Sequence, residues 1–330
     1  MSCFHSEKKS KPELYTDWIF IDSLPPEYQT QEYTVRSTGE KRRRRLTCYQ
    51  TEKRAENQRG MELSDPFSDR MQKLLLESFC GDESQKNPEI GFDWIIGPHW
   101  RDKYHATERH AYFDIIFKWM TRLGTSKYGF FLVVLSEPID GHPTDRECDT
   151  QLENCMILQK PSMSHRNFFH LANIFWLAMK DGEPIFPKDT RKEQDARSNA
   201  LDESLRRRKK QFSKKVRHPF WYLVVLATHP PSQGNGHGRF MLHALNYIAE
   251  KYQHPCFLEA HGEKNIAFYN KAGYTDNVIE KVQCPHGEEK EIESYSMIRW
   301  PDKCNTAGVN NKNNSQWGKH QGKVFPSVDN

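Results

Sequence analysis

Apolar positions along the chain follow two periods. Met71, Leu74, Leu75 and Phe79 recur at helical spacing after Ser64-Asp65-Pro66, a cap followed by a first-turn proline. Phe113, Ile116, Phe117 and Met120 give the same stripe over Ala106 to Leu123, and an aromatic-rich helix is expected over Arg166 to Met179. Tyr128 to Leu135 (YGFFLVVL) and Phe220 to Ala227 (FWYLVVLA) are β-branched and aromatic runs that predict buried strands, the second a central one. Met241, Leu245, Ile248 and Tyr252 mark an amphipathic helix directly after the second run. Shorter strands are expected at Gln31 to Arg36, Cys155 to Gln159, Cys256 to Ala260, Val278 to Gln283 and Glu291 to Arg299, with PHGEEK as the loop joining the last two. Ile266 to Lys271 reads as a short helix with Gly273 just beyond its end.

Between these elements the chain is polar. Residues 1–30 read as an irregular tail, 183–215 as a charged insertion and 304–330 as a disordered, Asn/Gly/Lys-rich tail, leaving one domain over 31–303. The basic runs Lys41 to Arg45 and Arg206 to Lys210 are expected to be solvated, the first in a loop, the second in a solvated helix over about Arg191 to Gln211. Nuclear import or phosphate binding is the alternative use of such runs.

Composition narrows the class. At 330 residues, 36% hydrophobic and a mean hydropathy of −0.87, with no apolar run near the roughly 20 residues of a membrane span, the expectation is an intracellular protein, cytoplasmic or nuclear, with no membrane partner. A net charge of +4 gives no ground for a nucleic-acid partner, and the basic runs lack interleaved aromatics. The eight cysteines show no CxxC pair, and Cys284-x-His286 lacks further ligands, so no metal is expected.

The chemistry concentrates between Trp221 and Tyr274. After the central strand comes Thr228-His229-Pro230-Pro231-Ser232-Gln233-Gly234-Asn235-Gly236-His237-Gly238. Three alternating glycines let backbone N–H groups turn inward, and the helix starting near Gly236 adds its positive end. Such a turn binds a pyrophosphate. A Rossmann or P-loop element would also be strand, Gly-rich loop and helix. The turn lacks Gly-Lys-Ser/Thr, and the chain downstream is a short helix and a hairpin, not repeated βαβ units.

Gln233-x-x-Gly236-x-Gly238 after an apolar strand resembles the (Q/R)xxGx(G/A) signature of the GNAT acetyltransferases, and LEAHGEKNIAFYNKAGY (Leu258 to Tyr274) resembles their second signature. SYSMIRWP, Ser294 to Pro301, is similar to the last strand of small-molecule GNAT enzymes. The resemblance is close over about 216–301 and loose over 63–182. It implies an α/β GNAT fold: a mixed six- to seven-stranded sheet with two splayed central parallel strands, Phe220–Thr228 and Cys256–Ala260, and helices on both faces. It implies acetyl-CoA as co-substrate. Backbone groups of Leu226, Ala227 and Thr228 would pair with its pantetheine, the amides of Gln233, Gly234, Asn235, Gly236, His237, Gly238 and Arg239 would hold its pyrophosphate, and Asn265 would hold its arm. Tyr269 would protonate the leaving thiolate. The implied activity is acetyl transfer to an amine of a small molecule; a protein acetyltransferase or a non-catalytic CoA-binding module is the alternative.

Some residues have plainer readings. Tyr269 could be a core aromatic and Asn265 a helix N-cap. His229 and His237 are expected to be exposed in the loop. Glu259 reads first as a structural hydrogen-bonding residue and second as a base, and the central strand carries no Glu; His229, His218 or a water chain are other candidates for the base. The acceptor pocket is expected to be walled by Phe79–Trp100, the helix at 166–182 and the hairpin at Cys284–Glu291.

Overall fold

The computed structural model describes residues 21–48, 66–80, 89–98, 106–125, 129–139, 150–161, 182, 191–216, 219–284 and 291–302. Its elements are α1 (Pro26–Gln29), β1 (Thr30–Thr34), β2 (Lys41–Cys48), α2 (Pro66–Cys80), α3 (Ile90–Ile96), α4 (Ala106–Thr125), β3 (Gly129–Pro138), β4 (Gln151–Gln159), α5 (Arg191–Val216), β5 (Trp221–Thr228), α6 (His237–Tyr252), β6 (Cys256–Ala260), α7 (Glu263–Lys271), β7 (Asp276–Gln283) and β8 (Glu291–Arg299). The expected helix at 166–179, the hairpin loop at 285–290, His218, the tail at 304–330 and residues 1–20 of the expected irregular tail lie outside the described residues, whereas 21–30 of that tail hold α1 and a buried Leu24.

The strands form one sheet in the order β1-β2-β3-β4-β5-β6-β8-β7. Every neighbouring pair is antiparallel except β5 and β6. Among the described residues the sheet has eight strands, not six or seven, because the basic run expected to be a solvated loop is strand β2. Its arginines alternate across the pleat. Arg42 and Arg44 are buried, whereas Arg43 points to solvent between Glu32 on β1 and Glu137 on β3, 3.6 and 3.8 Å away. Flanking strands thus supply both the ladder and the counter-charges that a sequence window around the run cannot show.

Helices cover both faces. On one face α6 and Tyr28 of α1 pack over β3, β4, β5 and β6 through Phe240, Met241, Ala244, Leu245 and Ile248. On the other, α2 and α4 pack over β3–β5 through Met71, Leu75, Phe113 and Phe117. Helix α5 continues this second layer past β5: its Phe212 stacks on Phe257 of β6, ring centroids 4.8 Å apart.

Helix α5 is not solvated as expected. Arg197, Arg208 and Lys209 are buried. Arg197 donates to the carbonyl of Trp94 (2.9 Å), and Gln194 to that of Ile96 (2.9 Å), so α5 satisfies carbonyls at the C-terminal end of α3. Arg208 reaches Glu280, the Val278 carbonyl and Ser296 on β7 and β8. One face of a helix rich in charge is buried here because neighbouring elements offer acceptors for the cations on it, which composition does not reveal.

Candidate functional site

Strands β5 and β6 are paired only at Trp221↔Cys256, Tyr222↔Phe257 and Leu223↔Leu258, then part. On its other edge β5 carries a bulge: pairing with β4 jumps from Leu158↔Leu223 to Ile157↔Val225, leaving Val224 extra. Trp221 and Leu223 belong to the core beneath α6. Val224 and Val225 both pack into the core beneath α2 and α4, with Ala227, and Leu226 returns to the α6 side.

The backbone reverses with the side chains. The Trp221 N–H donates to Pro255 on the β6 side (2.9 Å), yet the His229 N–H, an even number of residues on, donates to Glu153 on the β4 side (2.9 Å). A regular strand would aim both the same way. The bulge therefore turns the N–H and C=O groups of Leu226 and Thr228 into the gap between the parting strands, and those of Ala227 toward β4. The Thr228 carbonyl there accepts the Ser78 hydroxyl of α2 (2.9 Å). The Thr228 hydroxyl accepts from Asn154 (2.5 Å).

Strand β5 leads into the Gly-rich turn. Gly234 and Gly236 are left-handed (φ 83° and 84°), and Gly236 caps α6. Only glycine takes this backbone without strain. A Cβ at Gly238 would sit 3.3 Å from the Phe268 ring, so this glycine lets α6 approach α7. Arg239 is exposed in the first turn of α6.

The turn is braced from behind by residues the sequence reading did not assign. Arg44 donates to the Asn235 carbonyl (3.0 Å) and to Gln31, and lies over the rings of Tyr33 and Phe240, 5.1 and 5.0 Å from their centroids. The Arg36 N–H donates to Asn235 Oδ1 (3.0 Å). Ser232 donates to the Glu153 carboxylate, which also accepts from Ser136 (2.5 Å), itself bonded to Arg42 (3.2 Å). The only trace of this network in the sequence is the run of arginines in β2.

His237 is buried at the first position of α6, not exposed as expected, with its ring edge-on to Tyr33 (4.9 Å). Burial pushes its pKa down to about 4, against the pull of Glu153 and with the push of Arg44 and Arg42. His229 is partly exposed, 3.3 Å from Glu77.

A cavity of about 1710 Å³ opens where the strands part. Tyr222, Val224 to Thr228, Gln233, Glu259, Asn265, Phe268 and Tyr269 line it. Phe79 and the segment Glu89 to Asp93 contribute as expected, whereas the wall from Ser198, Leu201, Asp202 and Leu205 of α5 was not foreseen. Asn265 is not an N-cap. It stands in the first turn of α7, capped by Gly262, and donates to the His261 carbonyl (3.0 Å). Tyr269 packs edge-on to Phe268 and Tyr274, and burial, then Glu89, raises its pKa, so its hydroxyl keeps its proton. Burial also lifts the Glu259 carboxyl to about 7, although Tyr222, Lys209, Arg208 and His261 oppose the shift. Among the described residues no group of three His, Cys, Asp or Glu forms a metal site, and no helix is long and apolar enough to cross a membrane.

Two central parallel strands parting beside a bulge, with a Gln-x-x-Gly-x-Gly turn at the following helix N-terminus, make up the GNAT fold expected from the sequence. No family model matches the chain. A Schizosaccharomyces pombe protein named as an uncharacterized N-acetyltransferase is 34% identical over 82 residues, 25% of this chain and 34% of the relative, so the match spans about a third of that protein's length. Solved structures similar in fold include a Corynebacterium glutamicum histone acetyltransferase HPA2 and related acetyltransferase (14% identity, 72% of this chain and 93% of that one, TM-score 0.37) and the Thermoplasma acidophilum PaiA N-acetyltransferase with coenzyme A (13%, 69% and 92%, TM-score 0.30). A Chaetomium thermophilum Naa20 bound to a bisubstrate analogue is as distant (13%, 74% and 89%, TM-score 0.32).

Proposed function

We propose that the protein is an acetyl-CoA-dependent N-acetyltransferase acting on a small-molecule amine. The observation that carries this reading is the reversal of β5 at Val224, which presents the backbone of Leu226 and Thr228 to the cavity directly before an anion-binding turn. An extended pantetheine pairs with such an edge as an added strand. The turn from Gln233 to Arg239 suits its pyrophosphate, with two left-handed glycines and the free N–H groups of α6. Asn265 lines the same cavity and would hold the arm.

In this reading the Leu226 N–H polarises the thioester carbonyl as charge develops on its oxygen. The amine attacks directly, held against the thioester by the cavity walls. Tyr269, kept protonated by burial, supplies the proton to the departing thiolate. A walled cavity suits a small acceptor better than an extended polypeptide; transfer to a protein amine is the second reading.

Calorimetry with acetyl-CoA tests the assignment. Wild type binds at micromolar strength, and Gly236→Glu, whose carboxylate would meet the phosphates, does not, with thermal melting to confirm that the variant folds. A folded wild type that ignores acetyl-CoA overturns the reading. Tyr269→Phe should bind acetyl-CoA normally and lose about 100-fold in the rate of thiol release with an accepted amine.

A further inference from the structure

On the face of β6 opposite Cys256 and Leu258, Phe257 and Glu259 point toward α5. Glu259 stands one residue beyond the last β5–β6 pair, so it borders the gap where the strands part. It lines the cavity, and its Oε1 is buried with no hydrogen-bond partner. A buried carboxylate oxygen without a donor costs free energy unless a ligand supplies one.

We propose that the Glu259 carboxylate receives the ammonium group of a primary amine with an apolar, ring-bearing body and takes the proton that must leave before the nitrogen attacks. This rests on the acetyl-transfer reading above and adds to it the base and the class of acceptor.

The groups facing Glu259 from each neighbouring element fit this role. The Tyr222 hydroxyl of β5 favours the charged carboxylate, against the push of burial. Lys209 of α5 donates to Gln159 and lies over the Tyr222 ring (4.6 Å), so its ammonium has partners other than Glu259. Arg208 is bound to Glu280, Val278 and Ser296. His261, beyond the end of β6, lies 3.5 Å from Glu89. A second ammonium can therefore approach Glu259 from the cavity. The cavity favours it: Glu89, Asp93, Asp202 and Glu259 line it against Arg109 and Lys264 as its Lys and Arg side chains. Phe79, Phe92, Tyr112 and Trp119 supply flat apolar walls for the body of the amine.

The proton balance closes. The ammonium gives one proton to Glu259, and the neutral nitrogen forms a bond to the thioester carbon. The carbon–sulfur bond breaks, and the thiolate takes a proton from Tyr269. The nitrogen's second proton restores the tyrosine, leaving the amide with one. Glu259 then releases its proton to water. The products are amide, thiol and one proton.

The test uses the full-length chain with phenethylamine as the probe. Binding of phenethylamine to the CoA-saturated protein is measured by calorimetry for wild type, Glu259→Gln and Glu259→Asp, together with acetyl-CoA binding and the pH profile of thiol release. Glu259→Gln is expected to bind acetyl-CoA as wild type does, to bind phenethylamine at least about tenfold more weakly, and to lose about 100-fold in kcat/KM near neutrality. Its residual rate should climb with the free-amine fraction, whereas wild type levels off above about 7, where Glu259 has ionised. Glu259→Asp should recover part of both. Phenethylamine binding and a pH profile unchanged in Glu259→Gln overturn the proposal while acetyl transfer stands, as does a wild type that binds acetyl-CoA but not phenethylamine. A wild type that does not bind acetyl-CoA overturns both readings.

Discussion

The hydroxyl of Ser78 on α2 donates to the carbonyl of Thr228 on β5, 2.9 Å away, across the mouth of the gap between the parting strands. That carbonyl is one of the two that the bulge turns toward the cavity, so Ser78 occupies a position that a pantetheine amide would need. Removing the hydroxyl leaves the carbonyl only its long bond from the Gln233 amide (3.5 Å), which a ligand amide can displace. Ser78→Ala should tighten acetyl-CoA binding by about 2- to 10-fold, the worth of one net hydrogen bond. Equal or weaker binding by calorimetry would show that the cofactor arm does not use Thr228.

Arg44 makes the Gly-rich turn part of the sheet. It donates to Asn235 in the turn and to Gln31 on β1, with its guanidinium between two rings. Arg44→Ala should cost about 2 to 4 kcal/mol of stability, because it removes charged hydrogen bonds and two cation–π interactions from a buried place. Arg44→Lys should recover little of it, because an ammonium cannot span both acceptors. Urea midpoints measure the loss, and acetyl-CoA binding should weaken alongside it.

Arg207 and Arg208 both reach Glu280, with different consequences. The Arg207 side chain is 48% exposed and that of Arg208 3%. Arg207→Ala should change stability by less than about 1 kcal/mol, as exposed pairs do. Arg208→Ala should cost about 2 to 4 kcal/mol, since it removes a buried ion pair to Glu280 and leaves the Val278 carbonyl and Ser296 without its guanidinium under α5. Equal effects would mean that α5 does not seal this side of the sheet.

His237 and Glu259 set opposing pH dependences. His237 has a folded pKa of about 4, below its ordinary 6.5, so its stability contribution is complete above 6.5 and is lost as pH falls through that window. Glu259 has a folded pKa of about 7, above its ordinary 4.5, so its contribution is complete below 4.5 and is lost as pH rises to 7. Between 4.5 and 6.5 the two slopes largely cancel in wild type. Glu259→Gln should unmask the loss toward acid, and His237→Leu the loss toward neutrality. Urea midpoints taken from about pH 4.5 to 7.5 read both signs.

The sequence by itself determined the elements whose signals are local. The apolar run of β5, the stripe on α6 and the short strand β6 follow from side-chain period and turn chemistry, and Gln233, Gly236 and Gly238 mark the turn by residue type and spacing alone. Tertiary structure decided three other matters. Arg42 and Arg44 of β2 and Arg197, Arg208 and Lys209 of α5 are buried because β1, β3, β4, α3, β7 and β8 bring acceptors from distant parts of the chain, whereas a local window shows only a charge run. The bulge at Val224 is set by pairing with β4; the apolar run of β5 is equally compatible with a regular strand, which would aim Leu226 and Thr228 the other way. Glu259 meets Tyr222 and the cavity because β6 lies beside β5 for three residues and then leaves it, a relation that depends on where two strands part.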